Sequence, residues 1–174
     1  LLLTFQERLG ITAPIGPLCI VIGIGFFLSL IHALLFKFLP LTLTASSQVV
    51  GDLFLVGGIL YTTGGIDSPI SFLFLFVILA TSFMLSRAAV FLVASGAIII
   101  YGVLINLEYY GFITPVYLFP ESKLSFESGY VFYIIFLFIV AFYTVAYLSS
   151  FLSHRLRIVK EELEQASLHL EEQR

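Results

Sequence analysis

Long apolar runs alternate with short polar segments along most of the chain. The runs occupy about residues 17–38, 47–62, 69–85, 88–107 and 128–151. A helix needs roughly 17–25 predominantly apolar residues to cross a bilayer, so each run is close to one transmembrane length. The period-two alternation that is typical of membrane β-strands is absent from them. Because helices satisfy their own backbone hydrogen bonds in lipid, the pattern predicts an all-α, polytopic transmembrane helix bundle with five full spans.

The first residues predict part of one more span. Leu1, Leu2 and Leu3 precede a polar segment that includes Thr4 and Gln6. We interpret this apolar stub as the end of a truncated first span, and we expect a parent protein with six spans.

The segment 61–72, YTTGGIDSPISF, separates two apolar runs with a polar glycine–proline turn. Glycine adopts positive φ angles without steric cost, and proline fits the first turn of a helix. We therefore predict a tight turn at a membrane surface, with a positive φ at Gly64 or Gly65 and with Pro69 opening the next helix. The segment 86–88 predicts a very tight hairpin at the opposite surface.

Lysines and arginines in the short loops predict the orientation of the bundle, since they concentrate on the cytoplasmic side. If the C-terminus is cytoplasmic, the inner side collects Lys37, Arg87, Arg155, Arg157 and Lys160. The outer side then holds Arg8 and Lys123 among a larger number of acidic residues. We therefore expect a multi-pass membrane protein whose C-terminus lies in the cytoplasm.

The last part of the chain changes from apolar to charged at about Ser153. Its apolar positions recur in steps of three and four, as in the heptads of a coiled coil: Leu152, Leu156, Val159, Leu163, Ala166 and Leu170. No glycine or proline lies between 130 and 174. We predict one continuous helix from the last span into the cytoplasm, and a parallel homodimer through this stripe. An amphipathic helix on the membrane surface is the alternative.

Composition supports the membrane assignment. The 174 residues are 60% hydrophobic and 11% charged, whereas a soluble domain carries about 25% charged residues. The net charge of −3 argues against a nucleic-acid partner. Cys19 is the one cysteine, and no Walker, HExxH or GxSxG motif is present. We expect the lipid bilayer as the surroundings, and no catalytic residue, metal site or cofactor in this chain.

Few polar side chains lie within the apolar runs. A carboxylate such as Asp52 costs on the order of 2.5–3.5 kcal/mol inside a span. We place it near the cytoplasmic end of its span and expect it to bond a polar group on a neighbouring helix or to form part of an ion path. His32 predicts a helix-to-helix hydrogen bond. Glu108 and Tyr109 fall at the outer end of their span, where anchoring at the interface is the default interpretation.

Residues 48–111 resemble the membrane-sensor region of bacterial two-component sensor histidine kinases, in particular the type IV pilus sensor kinase group. These relatives carry an Asp in the third span, a TGG-x-x-SP-type turn, a short basic turn and an LEY-x-G ending. The matching residues here are Asp52, Thr63, Gly64, Gly65, Ser68, Pro69, Arg87, Tyr101, Gly102, Leu107, Glu108, Tyr109 and Gly111.

The resemblance implies a signal-input module at residues 1–152 and a cytoplasmic signalling helix at 153–174. The candidates for signal input are Asp52, Thr63, Gly64, Gly65, Asp67, Ser68, Pro69, Glu108 and Tyr109. The parent would be a protein-histidine kinase of the bacterial inner membrane, which uses ATP and transfers a signal to a cognate response regulator. These partners require kinase segments that the present sequence lacks. An intramembrane protein is a candidate ligand.

A small transporter or channel is the alternative class. It predicts polar residues from several spans that converge near mid-membrane. The sequence offers Asp52 and His32 for this purpose, with Asn106 nearer to the surface. A membrane enzyme is a third class, and the lack of a convergent polar set weighs against it.

Overall fold

A computed structural model describes residues 16–35, 37, 40–114 and 128–172 of the chain. The described residues contain helices and turns and no strand. The α-helices are α1 (Gly16–Leu35), α2 (Leu41–Thr63), α3 (Leu73–Met84), α4 (Arg87–Tyr109) and α5 (Ser128–Glu172). Two short 3₁₀ segments, Gly65–Asp67 and Pro69–Phe72, connect α2 to α3. The predicted stub at 1–3 lies outside the described residues.

Four helical segments within the described part are long and apolar enough to cross a membrane: Gly16–Leu35, Thr42–Thr63, Arg87–Tyr109 and Ser128–Ala166. The expected span at 69–85 corresponds to a shorter apolar segment, Pro69–Met84, whose first turn is 3₁₀. The all-α membrane class is therefore confirmed, and the count of five spans stays a prediction.

Helix α2 begins earlier than its apolar run suggests. It starts at Leu41, directly after Pro40, whereas the sequence pattern placed the start near 47. The added turns are rich in hydroxyls that bond to carbonyls one turn earlier. Ser46 Oγ, for example, donates to the Thr42 carbonyl at 2.8 Å. Such bonds let serine and threonine lie within an apolar helix, so their presence does not end it.

The core of the bundle lies between α2, α3, α4 and α5. Its fully buried side chains include Leu60, Phe74, Ile78, Tyr101 and Phe142. Helix α1 packs against α2 and contributes no buried residue. We name the two ends of the bundle by their chain segments. The turn end holds the α2–α3 connection and the end of α4, and the tail end holds the α3–α4 hairpin and the exit of α5.

Small residues bring α2 and α4 close together. Ala94 and Ala97 of α4 are completely buried. A Cβ added to Gly57 of α2 would lie 3.0 Å from Cγ2 of Ile100, which is closer than side chains normally approach. Glycine at this position therefore permits the observed contact between the two helices.

Helix α5 runs without interruption through 45 residues, which is about 67 Å at 1.5 Å per residue. The predicted continuous helix is thereby confirmed. Its first part packs on α3 and α4, where Phe142 and Ala146 are fully buried. Ser153 is the last buried position described, and its Oγ donates to the Ser82 carbonyl at 2.6 Å. One turn later Arg157 still bonds to the Leu85 carbonyl, and α5 then leaves the bundle.

The hairpin between α3 and α4 is as tight as predicted. Helix α3 ends at Met84, and α4 begins at Arg87. Ser86 caps α4, because its Oγ accepts a hydrogen bond from the Ala89 N–H at 3.4 Å. The cap satisfies one of the backbone donors that the start of a helix leaves free.

Candidate functional site

The α2–α3 connection ends one helix and starts the next within a few residues. Gly64 has φ 127° and Gly65 has φ 60°, a range that favours glycine. The Gly64 N–H donates to the Leu60 carbonyl and closes α2. Pro69 then occupies the first position of the following 3₁₀ segment. The predicted turn, with positive φ angles and Pro69 at the start of the next helix, is confirmed.

A hydroxyl pair joins the two ends of this turn. Thr63 Oγ1 donates to the Ile59 carbonyl at 2.7 Å. The Ser68 hydroxyl lies 2.6 Å from Thr63 Oγ1 and is therefore the donor of that bond. Ser68 Oγ in turn accepts from the Ile70 N–H at 3.3 Å. Both hydroxyls are buried, so the conformation of the turn is fixed by bonds that water does not compete for.

Glu108 connects the turn to α4. Its Oε2 accepts a hydrogen bond at 2.9 Å from the backbone N–H of Ile66, which is 42 residues away along the chain. Both residues are buried. A carboxylate that accepts a backbone N–H makes a charge-assisted bond, which is stronger than a neutral one. Besides the interface position expected for it, Glu108 thus makes a specific contact with the glycine turn.

The end of α4 is shaped to place Glu108 at the turn. Gly111 has φ 75°, and its N–H donates to the Glu108 carbonyl at 3.0 Å. The Phe112 N–H donates to the Leu107 carbonyl at 2.9 Å. This left-handed glycine closes the helix just beyond Glu108. Two parts of the motif noted in the sequence, TGG-x-x-SP and LEY-x-G, therefore meet at the turn end.

Asp67 and Tyr101 complete a group that we call the turn cluster: Ile66, Asp67, Tyr101 and Glu108. Among the described residues, Asp67 Oδ2 and the Tyr101 hydroxyl are buried and have no hydrogen-bond partner. Tyr101 lies close enough to Asp67 and Glu108 to interact electrostatically with both. Burial raises the pKa of the Asp67 carboxyl above its ordinary value. The cluster thus holds two acids and a phenol against one backbone turn.

Aromatic rings connect the turn cluster to α5. The ring of Tyr101 lies 4.4 Å from that of Phe138, and the ring of Phe138 lies 5.4 Å from that of Phe142. Phe74 of α3 contacts the Phe142 ring at 5.7 Å. These close centroid distances are those of favourable aromatic pairs. Tyr101 of the turn cluster is therefore in direct ring contact with Phe138 of the long helix.

Asp52 lies apart from the turn cluster. Because α2 starts at Leu41, Asp52 is in the middle of the helix, about 16 Å along the axis from Thr63. The expectation that it lies near the cytoplasmic end of its span is wrong, because the span-length segment Thr42–Thr63 has Asp52 at its middle. Within the described part of the chain no hydrogen bond to the Asp52 carboxyl is present, and His32 of α1 interacts with it electrostatically.

His32 makes the helix-to-helix contact that was predicted. Its Nδ1 donates to the Leu28 carbonyl at 2.8 Å, and its Nε2 lies 3.1 Å from Ser47 Oγ on α2. This bond joins α1 to α2 in the half of the bundle near the start of α2.

Two further candidates lie at the surface of the turn end. Pro69 and Tyr109 are exposed, and the Tyr109 ring packs on the Tyr110 ring at 5.2 Å. Neither side chain contributes a polar bond to the turn cluster. Across the residues that the structure describes, no group of three or more His, Cys, Asp and Glu side chains could hold a metal ion.

The predicted stripe on α5 divides into two parts. The same heptad phase, carried back into the span, reaches Ser149 and Phe142, and both are buried in the bundle. Beyond the bundle, the stripe is exposed at Leu152, Leu156, Val159, Leu163 and Ala166. The side chain of Leu170 lies outside the described residues. The stripe is thus covered by the chain's own helices at one end and exposed in the single chain at the other.

The ring contacts and the Ile66–Glu108 bond were not predicted from the sequence. Phe138 and Phe142 are spaced by one helical turn, which would allow them to share a face, but they stand in a run that is apolar on every side. The i, i+4 spacing of Phe138 and Phe142 was the sequence signal that could have indicated a shared face of packed rings.

Comparison with known proteins gives one family. A family model described as the PilS-like transmembrane domain matches residues 6–163. No curated protein gives a significant match, and no solved structure does.

Proposed function

From the premise that the chain belongs to the PilS-like transmembrane domain family, we propose that it is the signal-input module of a two-component sensor histidine kinase. In this proposal it passes a membrane or periplasmic stimulus to a kinase region that follows α5. The observation that carries the proposal is the continuity of α5. One unbroken helix holds Phe138 and Phe142, which pack beside the turn cluster, and the exposed apolar stripe at its other end.

The turn cluster is the proposed input. A ligand that contacts the exposed rim at Pro69 or Tyr109 would act on a turn that is bonded to α4 through Glu108. Tyr101, two turns earlier on α4, would carry the change to the rings of α5. Sliding or rotation of a packed helix by one or two ångströms is the usual scale of such transitions. A ligand shifts the equilibrium between two packing arrangements of α5 only if it binds one of them more tightly than the other.

The exposed stripe is the proposed output surface. Leu156, Val159 and Leu163 are each at least half exposed in the single chain. Apolar residues at heptad spacing on an isolated helix are stable when a second copy covers them. We therefore assign a parallel homodimer through α5. The kinase of the parent would use ATP and transfer phosphate to a response regulator.

Several features support a bacterial inner-membrane location with a cytoplasmic C-terminus. Arg87, Arg155, Arg157 and Lys160 lie at the tail end or beyond it on α5, as expected for the side that retains cations.

The segment Pro69–Met84 has four 3₁₀ and twelve α-helical residues. At about 2.0 and 1.5 Å per residue it extends about 26 Å, close to the 30 Å hydrocarbon core, which favours five spans in this chain.

The test is the kinase output of the full-length parent in membranes. Glu108→Ala removes the bond to Ile66, so basal autophosphorylation should change at equal protein abundance. Glu161→Ala, which removes an exposed carboxylate from α5, is the matched control and should leave the output unchanged. Equal output from wild type and Glu108→Ala would overturn the proposed input site.

A small transporter is the second candidate, and the His32–Asp52 interaction favours it. Ionisable groups within membrane spans often mark an ion path. The discriminating measurement is proton or sodium flux into liposomes that contain the chain. Flux that Asp52→Asn abolishes would support a transporter, whereas the kinase proposal predicts no flux above that of empty liposomes.

A further inference from the structure

A small cavity lies at the tail end, where α5 leaves the bundle. It is open to the surroundings, has a volume of about 50 Å³, and lies between the α3–α4 hairpin and α5. Arg87 from the hairpin and Arg157 from α5 contribute to its wall, together with Ser150 and His154. None of these side chains belongs to the turn cluster or to the apolar stripe.

Ser150 provides a buried hydroxyl without a bond. Its residue is 6% exposed, and among the described residues its Oγ has no hydrogen-bond partner. The neighbouring serines differ: Ser149 donates to the Ala146 carbonyl, and Ser153 donates to the Ser82 carbonyl. A buried hydroxyl is costly to leave unbonded, so an acceptor in the cavity would complete it.

The two arginines carry charge that the described residues do not neutralise. Arg157 donates one hydrogen bond to the Leu85 carbonyl at 3.4 Å, which leaves most of its donors for another partner. Within the described part of the chain, the one ion pair joins Lys160 and Glu164, on the next turn of α5. Glu161, one turn beyond Arg157, is exposed and forms no pair with it. The cavity therefore combines two cations with a free hydroxyl donor.

The position of the cavity identifies the kind of anion. Arg87 is the first residue of α4, a helix that is long and apolar enough to cross the membrane. Arginine at the end of a span lies at the level of the lipid headgroups. The positive end of the α4 dipole adds to the field of the guanidinium groups. Basic pockets between helices at this level attract lipid phosphates.

We propose that the cavity binds the phosphate of an anionic lipid headgroup. Arg87 and Arg157 pair with the phosphate oxygens, and Ser150 donates a hydrogen bond to one of them. Guanidinium groups suit this ligand because their donors match two oxygens at once. The bound phosphate would join the α3–α4 hairpin to α5 at the point where α5 leaves the bundle. The proposal does not depend on the presence of a kinase.

Native mass spectrometry of the purified chain in a neutral detergent tests this site. The two probes are dioleoyl phosphatidylglycerol and dioleoyl phosphatidylcholine, which differ in headgroup charge and share their acyl chains. We expect tighter retention of phosphatidylglycerol. Arg87→Gln and Arg157→Gln should each weaken it about fivefold, so that the two together weaken it about 25-fold. Ser150→Ala should weaken it about fivefold.

Arg155→Gln is the matched control, because Arg155 lies on the same helix and packs over the Phe151 ring at 5.4 Å instead of lining the cavity. It should retain phosphatidylglycerol like the wild type. Arg87→Lys with Arg157→Lys keeps the charge and should bind phosphatidylglycerol more tightly than the two glutamine substitutions together, which separates loss of charge from loss of fold.

Equal retention of the two lipids by the wild type would overturn the proposal. Equal loss in the control and in the double glutamine variant would overturn it as well. A third arm adds inorganic phosphate to lipid-free protein and follows the ³¹P linewidth. The linewidth could broaden only when Arg87 and Arg157 are present, while lipid retention does not depend on them. The ligand would then be a soluble phosphate, and the lipid assignment would be overturned.

Discussion

Removal of the Glu108 carboxylate tests the central contact of the turn end. In Glu108→Ala, the buried Ile66 N–H loses its acceptor at 2.9 Å. A hydrogen bond to a charged group contributes about 1.5–3 kcal/mol, and a buried donor left without a partner costs about 1–3 kcal/mol. Both figures describe the loss of the same bond, so they are not added. We expect Glu108→Ala to destabilise the folded chain by about 2–3 kcal/mol.

Glu108→Gln separates charge from geometry. Its amide oxygen can still accept from Ile66, so only the charged part of the bond is lost. We expect Glu108→Gln to destabilise the folded chain by about 1 kcal/mol, since neutral hydrogen bonds have about half the strength of charged ones. The order of stability should be wild type, then Glu108→Gln, then Glu108→Ala.

The assay is thermal unfolding in detergent, followed by the fraction of protein that elutes as a monodisperse peak after heating. At 2–4 °C per kcal/mol for a chain of this size, Glu108→Ala should lower the midpoint by about 5–10 °C. Glu161→Ala, which removes an exposed carboxylate from α5, should not change it. A midpoint for Glu108→Ala equal to that of this control would refute the reasoning.

Three further predictions follow from single sites. Gly64→Ala forces an alanine to φ 127° and should destabilise the chain by at least 1 kcal/mol in the same thermal assay, whereas Gly102→Ala, with open space around its Cβ, should not. Burial raises the pKa of Asp67 in the folded state, so ionisation of this carboxyl opposes folding. The midpoint of thermal unfolding should therefore fall as pH rises above the ordinary pKa of aspartate. Asp67→Asn should have a higher midpoint than the wild type at neutral pH but not in acid. Asp52→Ala should change basal signalling of the parent, because it removes a carboxyl from the middle of α2 that interacts electrostatically with His32; unchanged output at unchanged abundance would exclude a role for Asp52.

The local features of the fold were predictable because they depend on neighbouring residues. Gly64, Gly65 and Pro69 have few conformational alternatives, so the turn could be placed from the sequence. The lack of any helix-breaking residue after 130 predicted the full length of α5. The apolar pattern places the start of α2 too late, because serines and threonines interrupt the apolar run, whereas their hydroxyls bond within the helix.

The long-range contacts were not predictable from the same signals. Glu108 and Ile66 are joined only when α4 and the turn reach the same end of the bundle. Tyr101 meets Phe138 within spans that are apolar on all sides, where no polar face reveals which side chains point inward. Arg87 could be read as a cation of a loop, but the cavity that it shares with Arg157 depends on how α5 crosses the hairpin.

The most direct measurement of the proposed function is disulfide crosslinking along α5 in membranes that contain the full-length parent. The background is Cys19→Ser, because Cys19 is exposed. Single cysteines are introduced at the stripe positions Leu156, Val159, Leu163 and Ala166, and at the opposite-face positions Glu161 and Gln165. Crosslinking that is strong along the stripe, weak on the opposite face and altered by Glu108→Ala is the predicted result. Uniformly weak crosslinking, or a pattern that Glu108→Ala leaves unchanged, would contradict a signal that passes from the turn cluster through a parallel dimer.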